Sequence, residues 1–167
     1  PSGSGKELVA RAIHSQSSRS DERFVVANCA RLANDSVDAE LFGAENLQSH
    51  RRIVGLFEQA HRGTLYFDEI CDLTIETQGK IVRAVNEQRF RRVGGNSEVV
   101  VDVRVISASS RDLSTEIADG RLREDLYYRL GVISLSMPSL AERREDIPVL
   151  AKYFSKRIVK RIGVKPI

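Results

Sequence analysis

The 167 residues carry 26 Lys and Arg against 23 Asp and Glu, and a net charge of +3 permits an acidic or nucleic-acid partner without requiring one. With 41% hydrophobic and 29% charged residues, the composition is that of a globular chain long enough for one well-buried core. No apolar run approaches bilayer-spanning length, no signal-peptide pattern opens the chain, and Cys29 and Cys71 lack metal-ligand spacing, so the expectation is a cytoplasmic protein with free thiols and no membrane partner.

In chain order, "PSGSGKE" comes first. Ser-Gly-Ser-Gly also resembles a linker scar, but here it runs unbroken into "ELVARAIH", where Leu8, Val9, Ala12 and Ile13 share a helical face. "RFVVANC" reads as a buried strand and "GTLYFDEI" as another. Between them "ELFG" and "GLFEQA" flank residues 44–54, "AENLQSHRRIV", a polar and basic stretch that reads as a surface loop. A helix is predicted over "IETQGKIVRAVNEQ", with Ile75, Ile81, Val82 and Val85 on one side. "RFRRVGGN" suggests a hairpin insertion, "VVVDVRVISAS" a third strand, and "GVISLSM" a fourth, stopped by Pro138. After it comes an amphipathic basic helix, "VLAKYFSKRIVKRI". Alternating helices and apolar strands predict an α/β fold, a largely parallel sheet covered by helices on both faces. The division is expected at residues 1–139 and 140–167. Both ends read as cut from a longer protein, and the piece is expected to bind nucleotide poorly.

Glycines where a loop hands over to a helix N-terminus leave free N–H groups and a helix dipole that favour an anion. Ser2, Gly3, Ser4, Gly5 and Lys6 are therefore candidate phosphate-binding residues, with Lys6 reaching the β- and γ-phosphates of a nucleotide. The pattern G-x-x-x-x-G-K-[ST] is partial: its first glycine falls before Pro1, and Glu7 stands at the Ser/Thr position. Asp68 and Glu69 end an apolar strand, at the sheet edge where ligands bind in parallel α/β folds. Asp68 would hold Mg²⁺ through its water shell, and Glu69 would polarise the attacking water. An acidic pair at a strand end is common by itself, but much less so about sixty residues after such a helix start.

In "GRLREDLYYRLG", Leu122, Leu126 and Leu130 advance about 40° at each step of an ideal helix, and Arg123 and Arg129 border that stripe. Spacing alone favours arginines lying along the helix edge or paired with Glu124 and Asp125 over arginines presented to a neighbouring subunit. Asn28 is by default a strand-end turn former, or a hydrogen-bonding restraint on Glu69 if the two strands are neighbours. Ser109 and Ser110 would touch phosphates or cap the next helix. His14, His50 and His61 have no metal-binding arrangement and read as surface or capping residues.

"SGSGKELVARAIH", "FVVANCARL", "ELFG", "GLFEQAHRGTLYFDEI", "QRFRRVGG", "LREDLYYRL" and "PSLAERREDIP" resemble, in order, the AAA+ ATPase domain of NtrC-family regulators that work with sigma-54 polymerase. The resemblance implies a three-layer α-β-α P-loop NTPase followed by the start of a helical lid. It implies a homo-oligomer, dimer to hexameric ring, with ATP and Mg²⁺ between subunits. Lys6 matches the phosphate-loop lysine and Glu7 the family's own next residue; Asp68 and Glu69 match the Walker B pair and Asn28 the asparagine that restrains the glutamate. Arg123 and Arg129 match the arginine fingers, against the preference from spacing. Ser109 and Ser110 stand where the family usually has Thr-Asn.

In these activators "ELFG" leads into a loop carrying Gly-Ala-Phe-Thr-Gly-Ala, which contacts sigma-54. Residues 44–54 contain neither Phe nor Thr and are a few fewer than usual, most like the NtrX-type response regulators. The implied protein is an ATP-hydrolysing two-component regulator that does not activate sigma-54 polymerase. It would have a receiver addressed by a sensor kinase, a separate C-terminal DNA-binding domain and RNA polymerase as a further partner. Two other readings stand beside it: a nucleotide-gated switch without turnover, and a sigma-54 activator with a divergent loop.

Overall fold

A computed structural model describes residues 4–32, 36–46, 48 and 51–162. The chain divides into two compact units, one formed by residues 5–135 and the other by Ser4 with the described residues from 136 onward.

The first unit begins with α1 (Lys6–Ser15), whose inward residues are Ala10 and His14. Leu8 and Ala12, expected on the buried face, are exposed instead. His14 is correspondingly no surface residue. Its Nδ1 lies 2.9 Å from Thr64 Oγ1, its Nε2 lies 3.1 Å from the Glu22 carbonyl, and its ring meets Phe24 edge-on. A buried imidazole with partners on both nitrogens costs little to bury, so the helix turns by one residue from the simple apolar stripe.

The strand β1 (Phe24–Asn28) is followed by α2 (Val37–Phe42), β2 (Ala44–Asn46), β3 (Arg51–Ile53) and α3 (Leu56–Gln59). Then comes β4 (Thr64–Asp68), buried on both faces along Thr64, Leu65, Tyr66 and Phe67, as a central strand of a parallel sheet must be. Next are α4 (Ile75–Glu87), β5 (Arg89–Arg91), β6 (Glu98–Val100) and β7 (Arg104–Ala108). The sheet order is β1-β4-β7, all parallel, with Asn28 opposite Asp68 and Asp68 opposite Ala108. All three strands therefore end at one edge.

α4 starts on the Thr74 side chain, which accepts the Thr77 N–H at 3.2 Å, and ends at Gln88 in the left-handed region. Ile81 and Val85 are buried on its inner face, while Ile75, expected among them, is exposed in the first turn. α5 (Leu113–Ala118) and α6 (Glu124–Leu130) follow. Leu122 lies before α6, not within it, and Arg123 is its extended N-cap.

Two strand expectations are corrected. "VVVDVRVISAS" is not one strand: its start pairs with β5, while Val101 and Val103 donate their N–H groups to the backbone and side-chain oxygens of Gln88. "GVISLSM" forms no strand among the described residues, and Val132 and Ile133 are 81% and 80% exposed. A β-prone run becomes a strand only where a neighbour takes up its backbone groups. Conversely, part of the expected surface loop is ordered as a hairpin, with Ala44 opposite Ile53 and Asn46 opposite Arg51.

In the second unit, Ser139 and Glu142 form a reciprocal capping box on a short 3-10 turn, and α7 (Asp146–Ile162) carries Pro148 in its first turn. No helix among the described residues is long and apolar enough to cross a membrane.

Candidate active site

At the carboxyl edge of the sheet, the chain leaves β4 through Glu69 in a left-handed conformation (φ 56°, ψ 57°). That turn is rare for a residue with a β-carbon and points to a backbone held by its surroundings. Glu69 Oε1 accepts from Lys6 Nζ at 2.9 Å. Glu69 Oε2 accepts from the Ser110 N–H at 2.8 Å and from the Ser110 hydroxyl at 3.0 Å. Burial pushes the Glu69 carboxyl up, but the Lys6 ammonium and the two Ser110 donors outweigh it and hold it below the usual carboxylate range.

Lys6 opens α1 directly after Gly5, whose φ of 86° is the left-handed conformation that glycine adopts without strain. Glu7 is exposed and accepts from Arg11 at 2.8 Å one helical turn on. Ser4 belongs to the other unit, and its buried hydroxyl meets no hydrogen-bond partner among the described residues. Ser2 and Gly3, like His50, lie outside the described residues.

Asp68 accepts from the Tyr66 hydroxyl at 3.2 Å. Among the described residues no three His, Cys, Asp or Glu side chains converge as a metal cage. A single strand-end carboxylate fits Mg²⁺, which keeps several waters and takes its other ligands from phosphate oxygens. Asn28 ends β1 beside Asp68, but it does not hold Glu69: both oxygens of that carboxylate are taken, by Lys6 and by Ser110. Ser109 has a different task, accepting the Arg111 N–H at 3.1 Å and the Cys71 thiol at 3.6 Å.

Arg123 forms a two-point ion pair with Asp125, at 2.9 Å and 2.8 Å, one of the two partners that spacing suggested. Its backbone N–H is taken by Gln78, which is fully buried and whose amide also donates to the Leu73 and Arg121 carbonyls. Arg129 sits in the last turn of α6 and reaches the Val85 carbonyl at 3.5 Å. Gln78 was missed in the sequence, although a lone amide on the apolar stripe of a helix was the signal that could have marked it.

The two hairpins also meet. Glu45 donates its N–H to the Val93 carbonyl and Val93 donates to Gly43, both at 2.9 Å. Arg92, almost wholly buried, donates to Glu58 at 2.8 Å and lies 3.7 Å from Glu45; Arg52 of β3 pairs with the same Glu58. Burial pushes the Glu58 carboxyl up, and the two guanidiniums hold it below its ordinary value. Beneath them Phe42, Phe57 and Phe90 pack at 5.4–5.8 Å between ring centroids, and Phe57 lies 6.0 Å from Phe67 of β4.

A glycine-led helix start facing strand-end carboxylates across a parallel sheet defines the P-loop NTPase fold. The fold also matches the P-loop NTPase domain of the Sigma-54 transport activator from E. coli, which is 20% identical with a TM-score of 0.54, over 83% of this chain and 79% of that one. The chain belongs to the Sigma-54 interaction domain family, whose model matches residues 1–136. It is 49% identical over 165 residues to the nitrogen assimilation regulatory protein NtrX of Azorhizobium caulinodans, covering 99% of this chain and 36% of that protein. A crystal structure of NtrX from Brucella abortus in complex with ATP superposes with a TM-score of 0.91 at 50% identity, covering 99% of this chain and 38% of that one. These likenesses support the NtrX-like branch. The chain spans little more than a third of the curated relative's length.

Proposed function

We propose that this domain binds ATP with Mg²⁺ and hydrolyses it, within a cytoplasmic two-component transcriptional regulator that assembles as a homo-oligomer. The observation that carries the reading is the convergence of Lys6, Glu69 and Ser110 at the carboxyl edge of the sheet beside Asp68. Likeness to an NtrX crystallised with ATP supports the choice of nucleotide.

Lys6 exchanges its partner Glu69 for the β- and γ-phosphates, whose greater negative charge attracts the ammonium more strongly. Asp68 would hold Mg²⁺, and the ion would supply positive charge to the phosphates. Glu69, freed from Lys6, accepts a proton from the attacking water. Arg123, and with it Arg129, serves nucleotide bound by a neighbouring subunit, leaving Asp125 for the phosphate charge. Ser2, Gly3, Ser4, Gly5 and Glu7 are assigned to phosphate binding from the sequence pattern. The unit after 139 begins the helical lid. The absence of Phe and Thr from residues 44–54 supports a regulator that controls transcription and oligomerisation without activating sigma-54 polymerase.

The test is phosphate release by the full-length protein. Glu69→Gln is expected to lower it by roughly 10²–10⁴-fold while ATP still binds, and Lys6→Ala to abolish ATP binding. ATP-dependent stimulation of sigma-54 open complexes would overturn the output part of the reading. A second reading, a nucleotide-gated switch without turnover, draws on the same Lys6–Glu69 contact, which occupies the base. ATP-dependent assembly with no phosphate release would favour it.

A further inference from the structure

Glu116, on α5, is a carboxylate with only 5% of the residue exposed, and two arginines meet it. Its Oε1 accepts from Arg121 Nη2 at 2.8 Å. Its Oε2 accepts from Arg121 Nε at 3.1 Å and from Arg111 Nη1 at 3.2 Å. The Glu116 carbonyl also accepts the N–H groups of Arg121 and Leu122, at 2.9 Å and 3.0 Å. Backbone and side chain of one residue thus hold the connector that leads from α5 into α6. That connector ends at Arg123, whose N–H is bonded to Gln78, and the same amide donates to the Arg121 carbonyl.

The far end of this cluster is anchored at the sheet edge. Arg111 pairs with Asp72 as well as with Glu116. Asp72 lies in the turn that leaves β4, and its N–H donates to the Glu69 carbonyl at 2.9 Å. Arg121 pairs in addition with Asp119 at 2.6 Å. Charges of opposite sign therefore alternate through Asp72, Arg111, Glu116, Arg121 and Asp119, from the exit of β4 to the foot of Arg123. Stability alone does not account for such a chain, since a buried ion cluster is often replaceable by apolar residues without loss. What it does supply is orientation, because a planar guanidinium bonded to both oxygens of a carboxylate fixes the direction between them. We propose that Glu116 is the positioning residue for Arg123: anchored by Arg111, it holds the connector through Arg121 and so sets where the Arg123 guanidinium is offered. That role rests on the reading above, in which Arg123 serves nucleotide bound by a neighbouring subunit. An arginine displaced by an ångström on a loosened connector would meet that nucleotide only part of the time.

The experiment uses the full-length protein with ATP. Glu116→Gln keeps the shape and removes the charge. It is expected to lower kcat for phosphate release roughly tenfold with the ATP Kd little changed, since charged hydrogen bonds are lost from the connector and none from the ligand. Arg121→Met cuts the same tie from the other side and should match it. Mixing subunits separates the positioning of Arg123 from a general loss of fold. Glu116→Gln subunits mixed with Glu69→Gln subunits should release phosphate severalfold faster than the mean of the two alone, because the Glu69→Gln neighbour lends an intact Arg123. Mixed with Arg123→Ala subunits they should gain nothing, because both defects lie in the same donated group. A further readout needs no turnover: hydrogen exchange of nucleotide-free protein, followed by mass spectrometry. Residues 120–126 should exchange faster in Glu116→Gln while β4 stays protected. An unchanged kcat, unchanged exchange over 120–126, or a gain with Arg123→Ala subunits overturns the proposal. So does a failure to gain with Glu69→Gln subunits that do gain with Arg123→Ala ones. A wild-type protein that binds ATP and releases no phosphate sinks the hydrolysis reading instead, and the exchange result then separately supports or overturns the Glu116 tie.

Discussion

Gln78 ties three stretches of backbone together with one amide: its nitrogen donates to Leu73 and Arg121, and its oxygen accepts from Arg123. Truncating this fully buried side chain removes a partner from two carbonyls and one N–H, the Leu73 carbonyl in a buried place and the other two in part-buried ones. Gln78→Ala should therefore cost about 3 kcal/mol in urea unfolding, more than an exposed amide on the same helix. It should also loosen the segment that sets Arg123, a change readable as faster amide exchange at Arg123. Cys29 provides a second check at this scale. Burial, then Asp72 and Asp68, push its thiol up to about 12. Alkylation at pH 8 should thus be very slow in the folded protein and prompt in urea.

Among elements, the two hairpins stand or fall together, because Arg92 reaches from the end of β5 to Glu58 beneath β3. Arg92→Met leaves a carboxylate with Arg52 as its sole cation among the described residues, and should cost about 3 kcal/mol at neutral pH. The sign with pH follows from the lowered Glu58 carboxyl. Its contribution is full above the unfolded value of about 4.3 and is lost as pH falls through the lower folded value. The gap between wild type and Arg92→Met should accordingly be widest near pH 7 and shrink on acidification, as urea midpoints taken from pH 7 down to pH 3 would report. This coupling was invisible in the sequence: Glu58 and Arg92 are far apart in the chain, and only the fold brings them together. What was legible were the continuous apolar runs of β1 and β4 and the long period of α4, where local preference and burial agree. "GVISLSM" misled for the opposite reason, since its β-prone residues meet no neighbouring strand among the described residues.

For the whole molecule, the meeting of Lys6 and Glu69 beside Asp68 at the sheet edge is legible in the sequence, since the parallel topology brings strand ends and a helix start to one side. Ser110 and Asn28 were not separable in that way. Their roles depend on which way Glu69 turns, and a left-handed residue is not announced by its neighbours. Assembly carries its own expectation: under the proposed function Arg123 serves a neighbour's nucleotide, and Glu69→Gln and Arg123→Ala subunits, each inactive alone, should then regain phosphate release when mixed. Mixing without recovery would confine both residues to one subunit.

Gly43, at a φ of 82°, and Gly55 pinch the β2–β3 hairpin at its base, where a β-carbon on Gly55 would lie 2.2 Å from the Gly43 nitrogen. The chain thus leaves the domain and re-enters it at nearly one point. An excursion with such a narrow neck is an exchangeable cassette: its tip can be lengthened, shortened or rewritten while the frame beneath keeps its geometry. Evolution can then alter what the tip touches without disturbing the machinery at the sheet edge.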